Sequence, residues 1–326
     1  SNGSDGAAGA AGAQGNQGNQ GYQGDSGADA WSSGTADPTG GSDGDFYFET
    51  DTDKIWKKAS GSWSEIADLT GGAISTTTED LYTTISSDSD YGDVSAMLHF
   101  EGTNGQTDTE DDSFGRRTVT LAGTAQLSTA QKKFGSTSLL CDGDSDYVSM
   151  ANSTDFDFGT GDFTIECWFY YDQATAPQYS TIFDRGSGAG GGFSPFWLAV
   201  LDDSGLKLVA TCGTDGNQTN VIDNYNLATI TNNTWHHVAL TRHGSNFYIY
   251  LDGVSCAGAE QTNSSAMTDH AYPVLVGARG QSGVGSFWGG YIDEFRITKG
   301  TCRYPSGTTF TPSTTGLPGE TRFQQT

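Results

Sequence analysis

Short segments that alternate between apolar and polar residues run through the chain from about Val94 onward. Residues 163–169 read FTIECWF, which places Phe163, Ile165 and Cys167 on one side of an extended chain. Alternation with a period of two is typical of a β-strand with one buried face. Turn signals separate the segments, and no helical period longer than two turns appears. We therefore predict an all-β fold in which two sheets form a sandwich.

Glycine occupies every third position from residue 3 to residue 27 and no other position in that segment. A collagen triple helix requires this register, because only a hydrogen side chain fits where three chains meet at the axis. The segment has no proline, which normally favours the extended form, so a disordered Gly/Gln linker is the alternative. We predict a trimeric collagen-like stalk over residues 1–27, a rod of roughly 80 Å at ~3.1 Å per residue.

An aromatic-rich region follows the stalk. Residues 46–50 and 54–59 are predicted strands around a polar turn, and a third short strand carries Trp63. A meander of this size cannot bury its own apolar side chains. We therefore expect it to pack against two further copies of the chain. The sequence thus predicts a trimerisation module within residues 28–72 and a Ser/Thr/Asp-rich linker over residues 73–93.

Charge narrows the range of partners. The chain carries 40 acidic and 15 basic residues, a formal net charge of −25. This charge argues against a nucleic acid partner, and no apolar run is long enough for membrane insertion. Residues 1–30 also lack the features of a signal peptide. The five cysteines form no CxxC pair, so we expect reduced thiols, with a Cys256 to Cys302 disulfide as the alternative.

Residues 43–72 are similar to a short β module of phage tail-fibre proteins. The resemblance rests on the order of glycine, aromatic and tryptophan positions in the motifs GDFY, IW, GSW and DLTG. In those proteins a collagen-like run leads into the module, as it does here. The resemblance implies a fibre architecture rather than a particular chemistry.

Residues 94–297 are similar to the laminin-G-like, concanavalin A-like lectin/glucanase group. The motifs that carry the resemblance are LHFEG at 98–102, KFG at 133–135, LCDGDSDYV at 140–148, GDFTIECW at 161–168, WHHVA at 235–239, YLDG at 250–253 and GYIDE at 290–294. The ending TKGTCRY with FTP is similar to a version common in phage fibre proteins. The resemblance implies a jelly-roll sandwich over residues 94–312 and a C-terminal tail over residues 313–326. This fold hosts lectins, adhesion modules and hydrolases alike.

A glycan-binding site needs exposed aromatic rings for stacking and planar polar side chains for hydrogen bonds. Trp197, Trp288 and Tyr225 lie near glycine- or asparagine-rich turns, and Arg279 stands beside one of these turns. We predict that these four residues belong to a ligand-binding site on exposed loops. The alternative for each residue is an ordinary position in the core or at its rim.

Hydrolases of this fold pair two carboxylates along one strand. The best local candidate is the pair Asp293 and Glu294, but the usual spacing needs glutamate where Tyr291 and Arg296 stand. Strict alternation also places Asp293 and Glu294 on opposite faces. The sequence therefore predicts no catalytic residues and no enzyme, and a glycan hydrolase is the least favoured alternative. We expect the adjacent His236 and His237 to serve packing rather than a catalytic or metal pair.

Strict alternation puts Asp293 and Asp142 on the same faces as apolar neighbours, so both carboxylates need partners. In relatives with this fold, equivalent aspartates often help to bind a structural Ca²⁺. The resemblance thus implies a calcium site at Asp142 and Asp293, with Asp111 and Asp112 as further oxygen ligands. The alternative is that Asp142 and Asp293 accept hydrogen bonds that pin loops.

These parts together predict a homotrimeric adhesive fibre protein, a phage tail or capsid fibre whose lectin-like domains bind host-surface glycans. We expect it at the virion surface or in another extracellular setting. A subunit of a cellular adhesive or structural filament, built from the same parts, is the alternative.

Overall fold

The computed structural model describes residues 31–51, 54–68, 88, 90–172, 179–186, 194–214, 219–256, 260–267, 271–280, 283–305, 307 and 309–318. The chain divides into two compact units, Ser1–Glu79 and Asp80–Thr326. The predicted stalk of residues 1–27 and most of the predicted linker lie outside the described residues, so the triple helix stays a prediction.

The described part of the first unit is a four-stranded sheet. Its strands are β1 (Trp31–Gly34), β2 (Phe46–Glu49), β3 (Lys54–Ala59) and β4 (Ser62–Asp68). The antiparallel meander β2–β3–β4 confirms the predicted strands, whereas β1, parallel to β2, was not predicted. Ile55 is fully buried and Phe46 nearly so. Trimerisation through this small core stays a prediction.

The regular secondary structure in the described part of the second unit is almost entirely strand. In chain order the strands are β5 (Val94–Leu98), β6 (Val119–Ala122), β7 (Gln126–Ser128), β8 (Ser138–Asp142), β9 (Tyr147–Met150), β10 (Phe163–Tyr171), β11 (Tyr179–Asp184), β12 (Phe196–Asp202), β13 (Leu206–Thr214), β14 (Thr219–Thr229), β15 (Trp235–His243), β16 (Asn246–Leu251), β17 (Val254–Ser255), β18 (Gln261–Thr262), β19 (Val274–Val276) and β20 (Gly289–Lys299). Two short 3-10 helices, Tyr91–Asp93 and Thr154–Phe156, complete the described elements. No described helix is long and apolar enough to cross a membrane.

These strands form two sheets with the core between them. One sheet has nine strands in the order β17-β16-β15-β10-β20-β8-β7, with β18 beside β16 and β5 beside β20. The other has seven strands in the order β14-β13-β12-β11-β19-β9-β6. This antiparallel sandwich with almost no helix confirms the predicted fold class.

One face of each strand fills the core, as the alternation predicts. Phe163 and Ile165 of β10 meet Phe196 and Leu198 of β12 in a single apolar cluster. The alternate residues of β12, beginning with Trp197, form a separate cluster on the other face of the seven-stranded sheet. We call the faces that point away from the core the outer faces. The five cysteines are free thiols, so the Cys256 to Cys302 disulfide is not formed.

An irregularity in β20 changes which of its side chains leave the core. Glu294 has a left-handed backbone conformation, with φ of 52°, and the register against β10 shifts nearby. This β-bulge lets both Ile292 and Phe295 enter the core, and it leaves Asp293 and Glu294 outside it. Strict alternation would put Asp293 on the face of its apolar neighbour Phe295 and Glu294 on the opposite face, and both expectations are wrong.

The chain after β20 runs back over the outer face of the nine-stranded sheet. The rings of Tyr304 and Phe310 stack with centroids 3.7 Å apart and pack edge-on against His237 and Tyr250. Leu317 joins a small apolar cluster with residues of β5. We call this stretch, residues 300–318, the C-terminal strap.

Candidate functional site

The outer face of the seven-stranded sheet brings two of the predicted site residues together. Trp197 of β12 pairs with Asp184 of β11 and with Thr211 of β13, so the three side chains share this face. The indole Nε1 of Trp197 donates a hydrogen bond to Thr181 Oγ1 at 3.0 Å. The central guanidinium carbon of Arg279 lies 4.0 Å from the centroid of the Trp197 ring. The result is a cation–π stack on an immobilised ring.

A short hairpin carries Arg279, with residues 279, 280 and 283–285 described; we call it the Arg279 hairpin. Its ends pair through hydrogen bonds from Arg279 N to Gly285 O, 2.8 Å, and from Gly285 N to Arg279 O, 2.9 Å. Gly280 N donates to Asp184 Oδ2 at 2.8 Å. A Cβ at Gly280 would lie 3.1 Å from Gly186 Cα, so glycine at this position lets the hairpin close onto the end of β11. The hairpin that carries the Arg279 guanidinium is therefore anchored to the end of β11.

Asp184 supports this hairpin from a site with no exposed surface. Burial raises the pKa of its carboxyl to about 6, while hydrogen bonding with the Ser194 side chain and with Gly280 N and the charge of Arg279 act in the opposite direction. The carboxyl thus titrates in mildly acidic solution beside the stacked cation.

Two exposed apolar side chains lie close to the hairpin. Tyr272 exposes 37% of its surface, and its Cβ lies 3.1 Å from the point that a Cβ on Gly186 would occupy. Val284, in the hairpin itself, exposes 45%. Tyr272 and Asp184 were not among the residues predicted from the sequence. The available signals were a tyrosine beside Pro273 in a loop and an aspartate that ends an apolar strand.

The expectation that Trp197 and Trp288 are exposed is wrong, because both have 0% exposure. Trp197 lies under Arg279. Trp288 lies in the main core, with ring centroids 5.7 Å from Phe169 and 5.3 Å from Tyr171. Burial of so large a ring is favourable even next to a glycine-rich turn. The side chain of Tyr225 lies outside the described part, and so do residues 187–193, which belong to the glycine-rich turn before Trp197.

The predicted calcium ligands occupy different environments. Asp142 is exposed rather than buried, because β8 ends there, and its Oδ1 accepts a hydrogen bond from Asp144 N at 2.9 Å. Asp293 is fully buried, and its Oδ2 accepts from Lys133 N at 2.8 Å and from Phe134 N at 3.1 Å. The alternative that Asp293 pins a loop is therefore confirmed.

Several groups influence the carboxyl of Asp293. Burial raises the pKa of Asp293 to about 8, with the charges of Glu294 and Glu101 acting in the same direction and the two backbone hydrogen bonds acting in the opposite direction. Asp111 is buried and accepts hydrogen bonds from Met97 N of β5 and from Ser113 N of its own loop, and Asp112 Oδ2 lies 4.0 Å from a histidine nitrogen. No group of three His, Cys, Asp or Glu side chains in the described residues is placed to hold a metal ion, so calcium binding stays a prediction.

A second polar cluster lies under the C-terminal strap. Glu166 Oε1 accepts from Arg296 Nη2 at 2.5 Å, and Glu166 Oε2 accepts from Tyr304 Oη at 2.7 Å and contacts His237 Nε2 at 3.1 Å. Arg296 Nη1 donates to Asp88 Oδ2 at 3.0 Å. Burial alone would raise the pKa of Glu166, but the Arg296 charge and these hydrogen bonds hold it well below its usual range. Glu166 and Arg296 are paired within the chain, and the bond from Tyr304 joins them to the strap. His237 packs against the strap rings of Tyr304 and Phe310, as expected.

Comparison with known families gives one match to the sandwich. Residues 142–302 match the model of the Laminin_G_3 family, described as the concanavalin A-like lectin/glucanases superfamily. The matched segment contains Asp184, Trp197, Tyr272 and Arg279. Comparison with curated proteins gives no match.

Several solved structures are similar at low sequence identity. Domain 4 of AbnA, a GH43 extracellular arabinanase from Geobacillus stearothermophilus, in complex with arabinotriose, is 17% identical with a TM-score of 0.47, covering 66% of this chain and 95% of that chain. The binding domain of Paraclostridial Mosquitocidal Protein 1 is 13% identical with a TM-score of 0.48, covering 66% and 50%. A botulinum neurotoxin type C structure, whose cell entry depends on two ganglioside molecules, is 14% identical with a TM-score of 0.45, covering 65% and 49%. The match spans about half the length of these two toxin chains.

Proposed function

Residues 142–302 match a concanavalin A-like lectin/glucanase domain, and we propose that this domain binds glycans at the Arg279 hairpin. The observation that carries the proposal is the Arg279 guanidinium stacked on Trp197, with the exposed ring of Tyr272 close by. The predicted site is thereby revised: Arg279 remains, Tyr272 is added as the stacking ring, and Trp197 becomes the support beneath the cation.

The chemistry of this pair suits a sugar. A guanidinium offers five N–H donors in one plane, and stacking on an indole restricts the orientation of that plane. Sugar hydroxyls accept from such donors, while the apolar face of a pyranose or furanose ring packs on an aromatic ring. Because Gly280 and Asp184 anchor the hairpin, little conformational entropy is lost when a ligand binds.

We propose binding without cleavage. Glycoside hydrolysis generally uses two carboxyl groups that flank the scissile bond. At the Arg279 hairpin, Asp184 is fully buried and engaged by Gly280 N. On β20, Asp293 is likewise buried and holds residues 133 and 134. Each of these carboxyls serves to position backbone.

We further propose that the glycan-binding domain is displayed on a homotrimeric fibre of a virion, where it attaches to a host-surface polysaccharide. The glycine register of residues 1–27 and the aromatic meander after it support a trimer. A single shallow site binds weakly, but three copies tethered to one stalk can raise avidity by ~10² to 10⁴. Light scattering on the full chain tests the trimer; a mass equal to one chain would reject it.

A glycan array probed with the full chain tests the binding proposal. Titration calorimetry with the strongest ligand then compares the wild type with Arg279→Ala, Arg279→Lys and Tyr272→Ala. We expect at least a tenfold loss of affinity for Arg279→Ala and Tyr272→Ala, and partial retention for Arg279→Lys, which keeps the charge without the planar fork. Val254→Ala, an exposed apolar truncation on the nine-stranded sheet, is the matched control. Unchanged affinity in all the site variants would reject this site, and release of reducing sugar would reject binding without cleavage.

A further inference from the structure

The loop between β5 and β6 combines a buried anchor with an exposed aromatic tip. Its residues 110–117 read EDDSFGRR. The Asp111 carboxylate is buried and accepts from Met97 N at 2.9 Å, Ser113 N at 3.0 Å and Arg117 N at 2.9 Å. Ser113 Oγ adds a fourth bond to Asp111 at 2.8 Å. One side chain thus ties both arms of the loop to the edge of the sheet.

Arg117 fixes the same loop from the other side. Its guanidinium donates to Ser95 O and to Asp155 Oδ2, and it lies 5.0 Å from the centroid of the Phe156 ring. A Cβ at Gly115 would come within 2.5 Å of Arg117 Nη1, so the backbone of the tip rests directly on this held cation. Any larger residue at 115 would have to displace a side chain bound at several atoms. The tip is therefore preorganised.

The tip presents groups that the fold does not bury. Phe114 exposes 76% of its surface, and Arg116 is exposed in a left-handed conformation with φ of 41°. A non-glycine residue rarely adopts this conformation unless the surrounding structure imposes it. Here the turn that imposes it is closed by a hydrogen bond from Arg116 N to Ser113 O at 3.2 Å.

An open surface depression of about 180 Å³ lies at this loop, lined by Glu110, Asp111, Arg116 and Arg117; Phe114 belongs to the same tip, two residues before Arg116, and is not one of the lining residues. This volume is below the ~300 Å³ of the smallest typical drug-sized pockets, so it has room for one small ring. The two carboxylates and two guanidiniums of the lining cancel in charge, so the lining favours neither an anion nor a cation as ligand. The carboxylates are strong hydrogen-bond acceptors and the guanidiniums are strong donors. A guanidinium and a carboxylate that contact one another still have further donor and acceptor positions.

We propose that Phe114, Glu110 and Arg116 form a second carbohydrate site, which holds one neutral sugar residue. Vicinal hydroxyls both donate and accept, so they match a carboxylate next to a guanidinium, and the apolar face of the sugar packs on Phe114. This site does not depend on the Arg279 hairpin, which lies on the seven-stranded sheet and shares none of these residues. Together the two sites make each sandwich bivalent.

The test uses the full chain and methyl glycosides of glucose, galactose, mannose and arabinose, with glucuronate as the charged comparison. Saturation-transfer NMR and titration compare the wild type with Phe114→Ala, Glu110→Gln, Tyr272→Ala and Val254→Ala. We expect Phe114→Ala and Glu110→Gln to lower the affinity for at least one neutral glycoside by tenfold or more. Tyr272→Ala should leave the affinity of the second site for that glycoside unchanged, and Val254→Ala should not change the affinity of either site.

Four results would overturn the second site: no neutral glycoside binds the wild type at millimolar concentration, Phe114→Ala binds as the wild type does, glucuronate alone binds, or Phe114→Ala changes only the mass of the assembly. The last result would assign Phe114 to a contact between copies. Because Phe114 is exposed, the melting temperature of Phe114→Ala should equal that of the wild type, which separates lost binding from lost folding. Loss in Tyr272→Ala alone would reject this site and leave the Arg279 site standing.

Discussion

The two sheets of the sandwich use buried charge on their outer faces in opposite ways. On the nine-stranded sheet, the C-terminal strap covers Glu166 and Arg296, and these groups satisfy one another. On the seven-stranded sheet, buried Asp184 anchors the hairpin through Gly280 N, and the hairpin holds a half-buried cation near an exposed ring. The chain itself covers the charged groups of the first sheet, whereas on the second sheet a stacked cation lies beside an exposed ring.

The largest effect should come from breaking the matched network. Arg296→Ala leaves Glu166 buried without its cation, which should cost about 3–5 kcal/mol of unfolding free energy in urea denaturation. Lys54→Ala removes a half-exposed pair with Glu65, 2.8 Å apart, and is the control, with a cost of about 1 kcal/mol or less. Equal costs for the two variants would show that the network under the strap is not an integrated unit.

Removal of the strap's aromatic anchor should cost less. Tyr304→Ala removes a partly buried ring that stacks on Phe310, and we expect a loss of roughly 2 kcal/mol together with faster proteolysis within residues 305–318. Tyr304→Phe keeps the ring and removes only the bond to Glu166, so it should cost about 1 kcal/mol and leave proteolysis slow. Fast proteolysis of the wild type would contradict the strap as a fixed cover.

The pH dependence of stability sharpens the comparison on the nine-stranded sheet. The folded-state pKa of Asp293 is raised to about 8, so the folded state keeps a proton that the unfolded state loses above its own pKa near 3.8. This contribution is fully present below pH ~4 and is lost as pH rises to about 8, with a slope of at most ~1.4 kcal/mol per pH unit. Asp293→Asn keeps an acceptor for the two backbone amides and should flatten this slope. If the free energy of unfolding depends on pH in the same way in the wild type and in Asp293→Asn, burial does not raise the pKa of Asp293.

Asp184 should act in the same direction over a narrower range on the other sheet. Its pKa is raised to about 6, so its contribution to the free energy of unfolding falls between pH ~4 and about 6 and is constant above that. Asp184→Asn should therefore remove a slope in this window and leave the range from pH 6 to 8 as in the wild type. If the variant differs from the wild type mainly above pH 6, the assignment of this titration to Asp184 is incorrect.

The sequence predicted the strands better than the environment of individual side chains. The alternation in residues 163–169 is confirmed, because one buried face dictates the period of two. The same rule failed at Glu294, where a bulge set by pairing with a distant strand changes the face. The burial of Trp197 could not be predicted either, because the residue that covers its ring, Arg279, lies far along the chain. Phe114 escaped notice because its loop reads as an acidic run, and its exposure depends on bonds to Asp111 and Arg117.

The pairing of β5 with β20 has a consequence for biosynthesis. Leu98, in the first strand of the sandwich, pairs with Phe295, in the last, and Val94 and Met97 of the same first strand are also buried. A ribosome therefore releases these apolar residues long before their partner strand exists. Folding so dominated by non-local pairing is slow, and nascent chains expose apolar surface and an unpaired edge while they wait. During synthesis this protein should depend on chaperones until β20 has emerged.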